Sequence, residues 1–357
     1  MSNFNIIREI KPKKSFRVAS VLGKFDLQSE HVQENFTGDI DLTKEWQIGI
    51  IVGASGTGKS TIAKELFPDT YVTNYEYGHE SILDDFPNEI SVDEITKTFN
   101  SVGFSSPPSW LKPYSVLSNG EKMRVDLARA LLTDKETIVF DEFTSVVDRN
   151  VAKIGSAAVA KSIRRTNKKF IAVACHYDIV EWLEPDWIFD TNEMKFEYVR
   201  GHLRRPPINV KIYERRGMWN LFKKYHYLNT EIAKSSRQFV AYINNVPVAF
   251  CGVMHFPHPQ AKNIKKCTRL VVMPDYQGLG IGSRLLSFIA EYFISELKCR
   301  FTIVTSTPAL LASFRESKHW KLKNYGRNKP QSKGSTVGNM QVSRKRITTS
   351  WEYFLAD

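Results

Sequence analysis

The chain has 357 residues, 42% hydrophobic and 25% charged, which is enough for two globular domains at roughly 100–200 residues each. Its longest apolar runs, such as IGIIVGA and FIAVAC, are strand-length, far short of the roughly 18 residues a membrane helix needs. Four scattered cysteines with no C-x-x-C pair support neither a disulfide framework nor a cysteine zinc site. The N-terminal MSNFNIIREIKPKK lacks the apolar core of a signal peptide, so the expected location is the cytoplasm, with no membrane partner.

The net charge of +12 is unevenly placed. Residues 1–200 hold 24 Lys and Arg against 30 Asp and Glu, whereas residues 201–357 hold 26 against 8. The second part is therefore suited to a polyanionic partner.

In chain order, the first chemical motif is IGIIVGASGTGKST. An apolar strand runs into Gly53, Ser55, Gly56, Thr57, Gly58, Lys59, Ser60 and Thr61, then a helix start. Glycines at this spacing let backbone N–H groups curl around phosphate, and the helix N-terminus adds a favourable dipole. Lys59 is expected to reach the β- and γ-phosphates of ATP, and the Ser60 hydroxyl to ligate Mg2+. The next segment contains SILDDFP, whose Asp84 and Asp85 offer either Mg2+ or water contacts or simply a solvated acidic loop. YSVLSNGEKMRVDLARALL follows. ETIVFDEFTSVVD then gives a strand ending in Asp141, a metal-ligand candidate, and Glu142, placed to polarise an attacking water. Asp148 lies seven positions after Asp141, and FIAVACHYD ends another apolar strand in His176, suited to a γ-phosphate contact.

This ordered set, from about residue 15 to 195, resembles the ABC-type ATPases: P-loop, LSNGE signature, Asp141–Glu142, SVVD and the histidine His176. The resemblance implies a composite site in a homodimer, with ATP sandwiched between one subunit's P-loop and Ser118 and Gly120 of another. It also makes Phe25 a candidate for stacking on adenine, beside the alternative of a core Phe. Two features depart from the family. No Gln lies between Thr61 and Ser118, and the interval from P-loop to signature is short, as expected of a cassette that is not part of a transporter.

GHLRRPPINV reads as a connector, giving an expected division into an ATP-binding domain at 1–200, a linker at 201–207 and a second domain at 208–357. The second domain reads as strand, helix, strand, strand (VKIYER, GMWNLFKKYHYL, RQFVAYINN, VPVAFCGVMHF), with a hairpin turn at Asn244–Asn245. The strand CTRLVVM then meets a loop of Gln277, Gly278, Leu279, Gly280, Ile281, Gly282 and Ser283, followed by a helix with Leu285, Leu286, Ile289 and Phe293 on one face. Backbone N–H groups opening that helix suit a pyrophosphate.

Gln277, Gly280 and Gly282 match motif A of the GNAT acyltransferases, and the resemblance spans about 208–357. It implies acetyl-CoA or another acyl-CoA, with pyrophosphate on residues 278–283. FTIVTSTPALLASFRESKHW would be the next strand and helix, splayed apart to admit the pantetheine arm. Many members carry a tyrosine general acid near the middle of that last helix; here Phe314 lies closest, and CTRLVVM offers no carboxylate base. His226 and Tyr227, with His255 and His258 nearby in sequence, are the candidates for proton transfer. HYL is also similar, over a short stretch, to Mom-type phage acyltransferases that modify adenine in DNA.

The expected fold is thus α/β: an ABC-type P-loop domain, then a GNAT-like domain on a mixed sheet. The expected function is acyl transfer to nucleic acid, DNA rather than RNA, by an ATP-binding and ATP-hydrolysing homodimer. Two alternatives stay open. One is an ATP-regulated acetyltransferase of a protein or small molecule; the other is an ABC-type DNA-binding ATPase with a degenerate acyltransferase module.

Overall fold

Buried apolar runs become central strands, and their polar ends become loops that carry the chemistry. A computed structural model describes residues 2–10, 15–25, 32–72, 75–199, 208–226, 231–258, 261–327 and 347–355. The chain begins with β1 (Ser2–Ile10), α1 (Phe16–Lys24), β2 (Val32–Ile40), β3 (Ile48–Val52), α2 (Lys59–Leu66) and β4 (Tyr71–Val72). It continues with α3 (Val92–Ser101), α4 (Pro107–Trp110), α5 (Asn119–Leu131), β5 (Thr137–Phe140), α6 (Arg149–Ile163), β6 (Lys169–Ala174), α7 (Ile179–Leu183), β7 (Trp187–Asp190) and β8 (Lys195–Tyr198). The remainder is β9 (Lys211–Glu214), α8 (Trp219–Phe222), β10 (Arg237–Ile243), β11 (Val246–His255), β12 (Ile264–Val272), α9 (Ile281–Ser295), β13 (Arg300–Thr305), α10 (Pro308–Glu316), β14 (Trp320–Arg327) and β15 (Ile347–Tyr353). Two compact units form: one from 1–75, 133–148 and 159–206, the other from 76–132, 149–158 and 207–357.

The first unit holds a six-stranded sheet in the order β4-β5-β6-β3-β7-β8, parallel except for the β7–β8 pair. Every residue of β3 is buried, as a strand covered on both faces requires. Ile51, Val139, Ile171, Val173, Trp187 and Phe189 form its core with Phe4, Phe36 and Trp46. Phe4 and Phe36 come from the β1–β2 pair, a separate antiparallel ribbon, and Trp46 from the segment that follows it.

The second unit combines α3, α4 and α5 with a seven-stranded sheet in the order β14-β15-β13-β12-β11-β10-β9. Only β12–β13 is parallel, so the sheet is mixed. The β10–β11 hairpin turns on Asn244 and Asn245 at φ 50° and 66°, the pair of left-handed residues a type I′ turn needs. On one face, Leu285, Leu286, Ile289 and Phe293 of α9 pack with Cys251, Phe301, Ile303 and Trp351. Trp219, Phe222, Phe250 and Val271 form a second cluster; along β11, Phe250 alternates with Ala249 and Cys251 of the first.

GMWNLFKKYHYL makes a shorter helix than its length allows. Only Trp219–Phe222 is α-helical, followed by a 3-10 turn at Lys223–Tyr225. Its buried anchors are Trp219 and Phe222, three apart, whereas Asn220, Leu221, Lys223 and Lys224 are exposed. One turn satisfies that pattern.

A buried carboxylate ties the far edge of the sheet together. Glu352 on β15 accepts from Arg300 Nε at 2.6 Å and Nη2 at 2.8 Å, and pairs with Lys323 Nζ at 3.2 Å. Burial pushes its carboxyl up, but the two cations overcome this and hold it below the ordinary range. A lowered folded pKa gives stability that is present above the unfolded value of about 4.3 and is lost as pH falls through the folded one. The urea midpoint of the wild type should therefore exceed that of Glu352→Gln near neutral pH, and the gap should close on acidification below about pH 4. A gap that is constant with pH would show that the ion cluster contributes nothing of its own.

Candidate functional site

The P-loop follows β3, Asp141 follows β5, and His176 stands two residues past β6. These three strands are neighbours in the parallel sheet, so all three groups emerge at their carboxyl ends, where open α/β sheets bind ligands. Gly58 caps α2 at φ 83°, and a Cβ there would lie 2.5 Å from the Phe36 ring, so only glycine fits. Ala54, Ser55 and Gly56 are exposed, while Thr57 through Thr61 are half-buried. Lys59 Nζ donates to Ala54 O at 2.5 Å, which folds the ammonium over the loop. Gly53 is packed against Thr191, and Thr57 Oγ1 lies 2.5 Å from Thr191 Oγ1.

Ser60 and Asp141, the two metal-ligand candidates, meet at one oxygen. The Tyr71 hydroxyl donates to Asp141 Oδ2, and the Ser60 hydroxyl bonds the same phenol. Burial, reinforced by the bond to Asp141, pushes the Tyr71 pKa well above its ordinary value, so the phenol stays a neutral donor. A hydroxyl and a carboxylate converging on a single point are a donor set that fits Mg2+. Tyr71 lies 70 residues from Asp141, and no local pattern announces the contact.

Glu142 sits in the left-handed region at φ 49°, and the buried Thr144 does the same at φ 64°. Each costs of order 1 kcal/mol for a residue with a Cβ. Between them Phe143 is fully buried and its N–H donates to Val173 O at 2.9 Å, which anchors the strained turn on β6. Glu142 itself is exposed, with its N–H donating to Asp141 Oδ1 at 2.8 Å. His176 is half-buried, and its neighbour Tyr177 is linked to the P-loop. Asn192 Nδ2 donates to the Tyr177 hydroxyl at 2.7 Å, while Asn192 Oδ1 accepts from Ala54 N at 3.0 Å. Tyr177 in turn donates to Asp190 Oδ2 at 2.8 Å. Burial and that carboxylate push its pKa up to about 12. Sequence spacing does not reveal this second set, Tyr177, Asp190 and Asn192. Phe25 is 64% exposed and is no core residue.

In the second unit Ser118 caps α5 in a capping box: its Oγ accepts from Glu121 N at 3.3 Å, and Glu121 Oε2 accepts from Ser118 N at 3.0 Å. Ser118 is exposed and Gly120 is buried. Asp85 is not a solvated acid. It is 8% exposed, and its Oδ1 accepts from Gly78 N, His79 N and the His79 ring at 2.8–3.2 Å. Those donors outweigh the burial that raises it, so its pKa is lowered. That oxygen is committed to closing its own loop.

The glycine loop Gln277–Ser283 joins β12 to α9. Gly280, at φ 78°, is the N-cap of α9, and Arg284 N makes the first i→i−4 bond, to Gly280 O at 3.1 Å. By helix geometry the N–H groups of Ile281, Gly282 and Ser283 precede that bond and face outward along the axis. Leu279 and Ile281 anchor the loop in the core, and Ser283 Oγ donates to Gly280 O at 3.0 Å.

Beside it, β12 and β13 pair only from Ile264–Cys267 to Arg300–Ile303, although β12 runs on to Val272 and β13 to Thr305. The cause is visible in the register with β11, where Thr268 is an extra residue between Arg269 and Cys267. A bulge bends its strand, and this one lies immediately past the last parallel pair. The two strands therefore part beside the N-terminus of α9, an arrangement that fits an extended acyl-CoA arm.

His226 is half-buried against Trp219, ring centroids 5.7 Å apart. His255 is exposed at the end of β11, and His258 is exposed beyond it. Tyr227 lies outside the described residues, as do the linker 201–207 and residues 328–346 of the basic stretch. Phe314 is 1% exposed and stacked on Trp320 at 4.4 Å, so it is a core residue.

A family model described as "Acetyltransferase (GNAT) family" matches residues 178–313. The chain is thus similar in one part to GNAT acetyltransferases and in part to ABC-type ATPases. ABC relatives match part of it. The ABC-type transporter MDR1 of Aureobasidium melanogenum is 34% identical over 80 residues, 22% of this chain and 6% of that protein. The lactococcin-G-processing and transport ATP-binding protein LagD of Lactococcus lactis subsp. lactis is 29% identical over 172 residues, 37% of this chain and 24% of that one. The chain thus spans a quarter or less of the length of these curated relatives. Among solved structures, the dimeric ABC transporter cassette MJ0796 is 16% identical, with 55% of this chain and 100% of that one covered at a TM-score of 0.38. Among the described residues, no helix is long and apolar enough to cross a membrane.

Proposed function

We propose that the protein is an ATP-binding and ATP-hydrolysing, acyl-CoA-dependent N-acyltransferase that acts on nucleic acid and modifies a base in DNA. The observation that carries the choice of substrate is charge. Residues 201–357 hold 26 basic against 8 acidic residues, in the part of the chain that carries the glycine loop of α9. A duplex or single strand presents one phosphate after another to such a surface, and counterion release drives the association.

In this reading Gly53–Thr61 hold the triphosphate, Ser60 and Asp141 hold Mg2+, Glu142 orients water and His176 senses the γ-phosphate. Ser118 and Gly120 complete the site of a second copy, so ATP binding assembles a homodimer. Acetyl-CoA, or another acyl-CoA, held by its pyrophosphate on the N–H groups of residues 278–283, would supply the activated thioester. The domain division at 1–200, 201–207 and 208–357 belongs to the same proposal. His226 and Tyr227 are the proposed proton-transfer groups for the attacking amine, and the cytoplasm is the proposed location. A base must leave its stack to reach the thioester, and an ATP-driven clamp would hold the strand while it does.

Incubation of the full chain with isotope-labelled acetyl-CoA, MgATP and DNA should place label in nucleosides on mass spectrometry, and DNA binding should weaken steeply with salt. Label recovered only in protein, with none in DNA or RNA, would overturn the choice of substrate. A second reading, an ABC-type DNA-binding ATPase whose acyltransferase module is degenerate, is favoured by the burial of Phe314 where many members of the family carry a tyrosine. Calorimetry with acetyl-CoA separates the two.

A further inference from the structure

Within the second unit, the signature helix α5 and the acyl-CoA loop are joined by contacts that neither ATP binding nor acyl transfer requires. Arg124, on the first turns of α5, is a cation only 1% exposed. Its Nη1 donates to Gly120 O at 3.1 Å and its Nη2 donates to Asp275 O at 3.1 Å. Asp275 stands two residues before the glycine loop. Its side chain is 43% exposed, and its Oδ1 lies 3.1 Å from where a Cβ on Gly120 would sit.

The loop itself is gripped a second time. A Cβ on Gly278 would lie 2.8 Å from Gly103 Cα, so the two backbones touch without a side chain between them. Gln277 Oε1 accepts from Ser105 N at 2.7 Å, while its Nε2 donates to Val272 O at 3.1 Å. Both ends of the Gln277 carboxamide are therefore spoken for. It can turn toward a pyrophosphate only by giving up its bonds to Ser105 and Val272, which a movement of the loop away from residues 103–105 would release.

Charge supplies the reason to move. The first turn of α5 is the positive end of a helix, and the Asp275 carboxylate is the anion beside it. Asp275 Oδ1 faces Arg124 Nη1 at 3.9 Å, and a γ-phosphate brought to Ser118 and Gly120 by a second copy would add a like charge near that carboxylate, which repels it. Packed groups with two discrete arrangements transmit such a push.

We infer that Arg124 and Asp275 are positioning residues that couple nucleotide at the signature helix to the grip of residues 277–283 on acyl-CoA. This rests on the proposed composite ATP site and acyl-CoA loop, and deepens them: ATP tells the acyltransferase loop that two copies have closed. The coupling is reciprocal, so acyl-CoA must favour the ATP-bound pair by the same factor.

The test is the acetyl-CoA Kd of the full chain, by calorimetry, with and without Mg2+ and a non-hydrolysable ATP analogue. The wild type should bind acetyl-CoA at least about 5-fold more tightly with nucleotide, the lower end of ordinary couplings. In Asp275→Asn, which keeps the shape of a partly exposed side chain, the ratio should fall to within about 2-fold of unity, well below that range. Arg124→Met should do the same by a different route, by cutting the bridge to Asp275. A loss of fold would disturb both affinities taken singly, whereas loss of coupling changes only their ratio. A ratio unchanged in both variants overturns the inference. So does a wild type that binds acetyl-CoA with no dependence on nucleotide, an outcome that leaves the acyl-CoA reading standing. A wild type that binds no acetyl-CoA removes that reading and the inference with it.

Discussion

Glu142→Gln should lower the turnover of ATP by roughly 10²–10⁴-fold while leaving ATP binding intact. The size of the effect is that of a positioned group that accepts a proton from, or orients, the attacking water. The backbone makes this variant informative. Glu142 occupies a left-handed position at φ 49°, and its N–H and C=O are held by Asp141 Oδ1 and by Ser145, whose N–H and Oγ both donate to it. Gln preserves that conformation and the length of the side chain, so a fall in rate reports lost chemistry and not a collapsed turn. Lys59→Ala sets the contrast, because it removes the ammonium over the P-loop and should abolish ATP binding itself. Ser118→Arg should bind ATP yet neither dimerise nor hydrolyse. Steady-state release of phosphate, binding of a fluorescent nucleotide and size-exclusion chromatography together check the three. Wild-type hydrolysis by Glu142→Gln would remove it from the site, and normal hydrolysis by a monomeric Ser118→Arg would end the composite site.

Gly280→Asp should weaken acetyl-CoA binding by about 10³-fold or more. Space is not the obstacle, since a Cβ at Gly280 would meet only Ser283 Oγ, at 3.6 Å. Two other terms decide it. The left-handed φ of 78° costs a residue with a Cβ about 1–2 kcal/mol. A carboxylate placed about 4 Å from a pyrophosphate adds roughly 4 kcal/mol of repulsion at the effective dielectric of a protein surface. At 1.4 kcal/mol per tenfold, the charge alone gives about three orders of magnitude. Gly280→Ala carries the strain without the charge and should cost only about tenfold. Equal losses in the two variants would mean that the N-terminus of α9 does not meet an anion. Calorimetry on both, with thermal unfolding to check the fold, distinguishes these outcomes.

Much of the site is legible along the chain because its chemistry is local. A phosphate cradle needs a strand, closely spaced glycines and a helix start within a dozen residues, and both glycine loops have them. The apolar runs before Gly53, Asp141 and His176 also mark buried parallel strands, since a strand covered on both faces leaves an uninterrupted hydrophobic record. The Asn244–Asn245 turn is readable for the same reason: the residues that tolerate positive φ are few.

What the sequence determined by itself, then, is an ABC-type and a GNAT-type set of short motifs on an α/β chain, together with the charge of its second part. Tertiary structure alone decided which distant groups serve those motifs. Tyr71 reaches Asp141, Asn192 holds the P-loop to Tyr177, Phe314 is sealed in the core, and Thr268 bulges to part β12 from β13. Gln277 and Ser105 are 172 positions apart, and Arg124 and Asp275 are 151. No periodicity of 2 or 3.6 residues extends over such distances. These contacts exist because strand order and helix packing bring the groups together, and a single sequence records the groups without recording that order.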